Sequence, residues 1–211
     1  MIGPLLVDNF SKSIDITKTI SKPINDKASD EEITAFHEAG HLYYHIIFEM
    51  YTEYVTILKK NSDPGIYTDK IFKVDTSFNR LSEVQQRIIY QKMTIAGLIA
   101  EVKVTGIYVY YHIQQDLTNL YYNTNFYPKG NEWQKIWAQA VELFDQNETW
   151  MRVNIISKNL INLKEVTGWE NIRNLIYENA QKTPRPMSEP GGKSKQGGGS
   201  IKHKEQLSQS S

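Results

Sequence analysis

The sequence contains no cysteine. Disulfides, thiolate metal sites and thiol nucleophiles are therefore excluded, and any metal has to be held by imidazole and carboxylate. A surplus of charge is also missing: Lys plus Arg number 24, and so do Asp plus Glu. Such a balance offers no broad basic field to draw in nucleic acid or an acidic membrane surface, so no nucleic-acid partner is expected. No stretch approaches the roughly 18 uncharged apolar residues of a membrane span, and no transmembrane segment is expected. The opening "MIGPLLVDNF" has too short an apolar run, broken by Pro4, for a signal peptide. These absences point to a soluble, cytoplasmic protein. What remains is ordinary: 211 residues, 40% of them hydrophobic, enough for one domain with its own core.

Residues 1–28 are polar, carry Pro4 and Pro23, and read as an irregular N-terminal arm. "SDEE" then opens a helix, with Ser29 as N-cap, Glu32 closing a capping box, and acids at the positive end of the dipole. The helix is expected to reach about residue 52 and to be central and buried. Ile33, Phe36, Gly40, Tyr43, Ile47 and Met50 fall on one apolar arc, and Ala35, Leu42 and Ile46 on another. "YVTILKK" and "IYTDKIFKV" flank the turn cluster "NSDPG" and read as a β-hairpin or short meander. A strong helix follows from Ser82 to a closing Gly106, with Val84, Ile88, Met93, Ala96 and Ile99 expected inside. "HIQQDLTNLYYNTNFY" is the next helix, and two more joined near Asn147 come after Gly130. Gly168 is expected to end that pair before a short final helix. From Lys182 the chain is rich in Pro, Gly, Ser and Lys and should be disordered. The organisation expected is thus an arm (1–28), a folded domain (29–181) and a tail (182–211). The fold class is mainly α, with a small β element beside the residue 30–52 helix.

"ITAFHEAGHLYYH", residues 33–45, carries the chemistry. His37 and His41 are four apart, one turn on one helix face, so both imidazoles can converge on one zinc ion. Glu38, about 100° further round, can face a bound water; this is the HExxH arrangement. A catalytic zinc needs three protein ligands and an open position. His45 is not the third, because it lies eight residues from His37, about 12 Å along the axis. It reads as a packed residue or one supporting the ligands. Glu101, His112 and Asp116, on later helices, remain as candidates. Glu101 also reads as a buried hydrogen-bonding residue of a small-residue helix, and His112, one turn before Asp116, as a residue orienting the carboxylate or as a plain surface or packing histidine. Ala39, Gly40, Ala96 and Gly97 suit close helix contact. The tyrosines of 108–111 and 121–122 suit core and rim, or the lining of a substrate cleft.

"TAFHEAGH", then "VTIL" and "PGIYTD", then "AGLIAE", then "QQDLTNL" resemble, in that order, the proteolytic domain of the FtsH family of ATP-dependent zinc metalloproteases. The likeness runs over roughly residues 30–178. It implies a zinc metallopeptidase with His37, His41 and Asp116 as the metal ligands and Glu38 as general base. The family places this domain behind a membrane-anchored AAA ATPase, and these 211 residues contain neither part. "GGKS" at 191–194 resembles the end of a phosphate loop, but the first glycine of that pattern is replaced by Met187, so no nucleotide binding is expected. The expectation is an ATP-independent endopeptidase or oligopeptidase acting on extended or unfolded polypeptides. Such a substrate would pair with the edge of the β segment between residues 54 and 74. Homo-oligomerisation, by analogy with the family's hexameric rings, and a separate ATPase partner are left open. The competing expectation is a non-catalytic, metal-binding regulatory or interaction module built on the same scaffold.

Overall fold

A computed structural model describes residues 3–14, 24–25, 27–58, 65–67, 77–124 and 127–177. The tail expected from residue 182 lies outside the described residues. The first helix, α1 (Gly3–Ser13), falls where an irregular arm was expected. Leu6, Val7, Phe10 and Ile14 are buried, while Asp8, Asn9, Ser11 and Lys12 are exposed, which is a helical period. Pro4 does no harm because it sits in the first turn, where its missing N–H has no intrahelical acceptor to lose. α1 packs on the helices of residues 110–124 and 131–145, with the Phe10 ring edge-on to Trp133 at 5.0 Å.

The second helix, α2 (Asp30–Ile47), starts at the expected capping box. Ser29 Oγ accepts from the Glu32 N–H at 3.3 Å, and the Ser29 N–H donates to Glu32 Oε2 at 2.8 Å. The helix stops at Ile47 rather than near residue 52. Glu49 takes φ +50°, which a right-handed helix cannot continue through, and the Met50 N–H turns back to the His45 carbonyl at 2.8 Å. Residues 34–35 and 37–45 are all buried, but of the two apolar arcs Ile33, Phe36 and Ile46 are only half-buried and Ile47, at the helix end, is 39% exposed.

Of the expected hairpin, β1 (Tyr54–Thr56) pairs with β2 (Gly65–Tyr67), antiparallel with Val55 opposite Ile66, while residues 59–64 and 68–74 of it lie outside the described residues. A third strand, β3 (Glu165–Thr167), pairs antiparallel with the other edge of β1, Val55 opposite Val166. The sheet order is therefore β2-β1-β3. β3 lies inside the stretch expected to be helix up to Gly168. The helix breaks instead after Leu163, where Lys164 takes φ +64° and its carbonyl accepts from the Ile57 N–H at 3.0 Å. With both edges of β1 occupied, the pairing edge foreseen for a substrate cannot be β1; among the described residues β2 has only β1 beside it.

α3 (Glu83–Thr105) has a second capping box, Ser82 with Gln85, and ends on Gly106 at φ +77°. Ala96 and Ile99 are buried as expected, but Val84 and Ile88 are 62% and 41% exposed. The first turns of α3 run out beyond its partners, and continuous burial begins only at Thr94, where α2 crosses. The crossing is close because Gly40 faces the α3 backbone: a Cβ there would stand 2.4 Å from the Ala96 carbonyl oxygen. α4 (Tyr110–Thr124), α5 (Asn131–Asp145) and α6 (Asn147–Leu163) follow, the last two separated only by Gln146. α7 (Trp169–Arg173) runs into a 3-10 turn at Asn174–Ile176. α2 is the central rod, packed on α3 and α6. The fold is mainly α with one small antiparallel sheet. Among the described residues no helix is long and apolar enough to cross a membrane.

Candidate metal centre

α2 presents His37 and His41 one turn apart on the face that meets α3, and α4 brings Asp116 to the same point. The two Nε2 atoms lie 3.1 Å apart. Asp116 Oδ2 lies 3.2 Å from His37 Nε2 and 3.3 Å from His41 Nε2. The three atoms form a nearly equilateral triangle. An ion with ligand bonds of about 2.0–2.1 Å in tetrahedral geometry needs its donors about 3.3 Å apart, close to the sides of this triangle.

The far side of each ring fixes which nitrogen carries the proton. His41 Nδ1 lies 2.8 Å from the Met93 carbonyl oxygen, which can only accept, so the proton is on Nδ1. His37 Nδ1 lies 3.1 Å from Glu101 Oε2 and donates to that carboxylate. Each neutral ring therefore turns a bare Nε2 lone pair inward, the tautomer a metal ligand requires. Asp116 Oδ2 is buried and has no hydrogen-bond partner. With both rings neutral, three lone-pair atoms face one another without a donor between them, an arrangement that costs free energy unless a metal cation or a proton sits among them. Space for the ion is kept by Gly97 on α3. A Cβ at that position would lie 2.5 Å from His41 Nε2 and 2.9 Å from His37 Cε1. His37, His41 and Asp116 fit a divalent metal.

The electrostatics point the same way. Burial alone would depress His37, yet the Asp116 carboxylate, with Glu101 and Glu38 in support, holds it well above its ordinary value. His41 is likewise raised against burial, mainly by Asp116. Burial would raise Asp116, but the two imidazoles carry it far below the usual carboxylate range. The pocket favours positive charge. Glu38 is 6% exposed, and burial, its largest influence, raises it above the ordinary glutamate value, with His37 and His41 pulling the other way.

Of the three candidates for the third position, only Asp116 joins the two Nε2 atoms. Glu101, 1% exposed, sits behind His37, and its Oε2 also lies 3.0 Å from His112 Nδ1. Its other oxygen, Oε1, accepts the Val109 backbone N–H. Burial pushes Glu101 up, but the hydrogen bonds from His112 and His37 win and hold it low. The buried hydrogen-bonding reading of Glu101 agrees with this. His112 does not fit the plain surface or packing reading: it is half-buried and tied to Glu101, with its ring centroid 4.6 Å from that of His37. One signal pointed to it, its place one turn before Asp116 on the same helix. The Met93 carbonyl carried no signal in the sequence. His45 stays off the centre, with Nδ1 2.7 Å from Thr52 Oγ1. Tyr111 is exposed beside the site, its ring 6.5 Å from that of His112. No protein-family model matches the chain, and no curated protein is significantly similar to it.

Proposed function

We propose that this chain is a zinc-dependent endopeptidase of the FtsH type, hydrolysing peptide bonds in extended polypeptides. The observation that carries the reading is the triangle of His37 Nε2, His41 Nε2 and Asp116 Oδ2, with sides of 3.1–3.3 Å and no donor to satisfy the buried Asp116 oxygen. Two imidazole nitrogens and one carboxylate oxygen make a donor set that catalytic zinc uses, leaving one position open. Zinc held there would supply an acidified water and polarise the scissile carbonyl.

The chain's own residues do the rest. His37, His41 and Asp116 fix the ion, with Met93 and Glu101 holding the two rings in the required tautomer. Glu38 takes the proton of the attacking water and returns it to the amine nitrogen as the C–N bond breaks. Its burial raises its proton affinity, which suits a group that must hold that proton between two steps. Access also selects the substrate. His37, Glu38 and His41 are 3%, 6% and 9% exposed, so a folded surface cannot reach them, and the reading requires a single extended strand to enter. Among the described residues, the outer edge of β2 is the pairing surface such a strand would use.

Metal analysis of the purified protein should give about one zinc per chain. Substituting His41→Ala or Asp116→Ala should remove it. Glu38→Gln should keep the zinc and lose cleavage of unfolded casein by about 10²–10⁴-fold. Zinc without cleavage in the native protein would replace the peptidase with a non-catalytic metal-binding module, and absence of zinc would remove both.

A further inference from the structure

We propose that His112 is a positioning residue of the metal centre, acting through Glu101 on His37. The inference rests on the metal site proposed above, and it concerns a residue that touches none of the three converging atoms. Glu101 Oε2 lies 3.1 Å from His37 Nδ1 and 3.0 Å from His112 Nδ1, so one carboxylate oxygen accepts from two imidazoles. The Val109 N–H donates to the remaining oxygen, Oε1. These three donors come from α2, from α4 and from the loop between α3 and α4. A carboxylate that is 1% exposed is shut off from bulk solvent, so its position is set chiefly by the groups that donate to it. The direction and basicity of His37 Nε2 are in turn set by what Nδ1 donates to. His112 stands at the head of this chain of contacts. α4 consequently supplies Asp116 to the ion directly and, one turn earlier, steadies the acceptor behind a ligand from α2.

The same three side chains, His37, Glu101 and His112, are close enough to hold a second ion themselves. Hydrogen bonding is the better account. Distances of 3.0 and 3.1 Å are ordinary for N–H donating to a carboxylate oxygen, and Val109 already occupies the other oxygen. A His37 bridging two ions would have to surrender its Nδ1 proton.

The test is zinc affinity, measured by competition with a chromogenic chelator. His112→Ala should weaken binding by about 10–100-fold while leaving one zinc per chain at saturation. His112→Asn carries an amide N–H near the place of Nδ1 and should restore most of the loss. His112→Gln, whose amide reaches instead toward the place of Nε2, should not. In a Glu101→Ala background, His112→Ala should add little, because the route it acts through has gone. Should the Glu101 variant fail to fold, the contrast between Asn and Gln decides alone. An affinity within twofold of wild type for His112→Ala, rescue by Gln but not Asn, or two ions per native chain would each overturn the proposal. Wild-type protein that binds no divalent ion would overturn the metal site and this inference together. One ion bound equally well by wild type and His112→Ala would overturn this inference alone.

Discussion

His45 lies one turn beyond His41 on the same helix, yet it is pushed the opposite way, down to about 4. Burial is the main cause and His41 adds to it; among the described residues no carboxylate acts on His45 as Asp116 acts on His37. A histidine whose folded value lies below its unfolded value of about 6.5 must stay neutral in the fold. The stability it allows is fully present above pH 6.5 and is lost as pH falls from 6.5 toward 4, because the unfolded chain binds the proton first. The loss approaches about 3 kcal/mol for a shift of this size. Urea unfolding across pH 4–7 should show that slope in the wild type and a flatter one in His45→Gln. The contrast between these histidines was only half legible in the sequence. Helical spacing removed His45 from the ligand set, and His37, Glu38 and His41 follow from the same period. Which histidine would gain a carboxylate partner depends on α4 arriving from 75 residues away (116 − 41), and local pattern does not encode that.

Among the elements, the crossing of α2 and α3 decides most. Gly40 and Gly97 are both needed there, for different reasons. A Cβ at residue 40 would strike the Ala96 backbone, so Gly40→Ala must push the helices apart and should cost about 1–3 kcal/mol of stability. A Cβ at residue 97 would strike imidazole atoms of His41 and His37, which can swing aside. Gly97→Ala should therefore fold with near-normal stability while losing zinc affinity by tenfold or more. Thermal unfolding without metal, set beside chelator competition, separates the two effects. Element ends were readable wherever a cap used local chemistry: Ser29 with Glu32, Ser82 with Gln85, and Gly106. They were unreadable where an ordinary side chain takes positive φ, as Glu49 and Lys164 do. The helix α1 was missed because Pro4 and a polar setting outweighed four apolar residues whose value appears only once Trp133 is there to meet Phe10.

Seen whole, the molecule keeps His37, Glu38 and His41 buried, and under the proposed peptidase function the consequence for substrates is steric. Equal amounts of a stably folded reporter and the same reporter permanently unfolded should be treated differently: the unfolded form cut, the folded form left intact over the same period. Cleavage of both at similar rates would contradict the buried-site argument. Fold class was legible because helical periods dominate the chain. The three-stranded sheet was only two-thirds legible, since Glu165–Val166–Thr167 gains its meaning as a strand from Val55, more than a hundred residues earlier. That separation has an outcome during biosynthesis. The ribosome delivers α2, β1, β2, α3 and α4 well before Glu165 emerges, so a nascent chain holds every side chain of the proposed metal centre while the β3 flank of β1 is still bare. Until Glu165 has emerged, that flank is open to a neighbouring polypeptide on the same messenger.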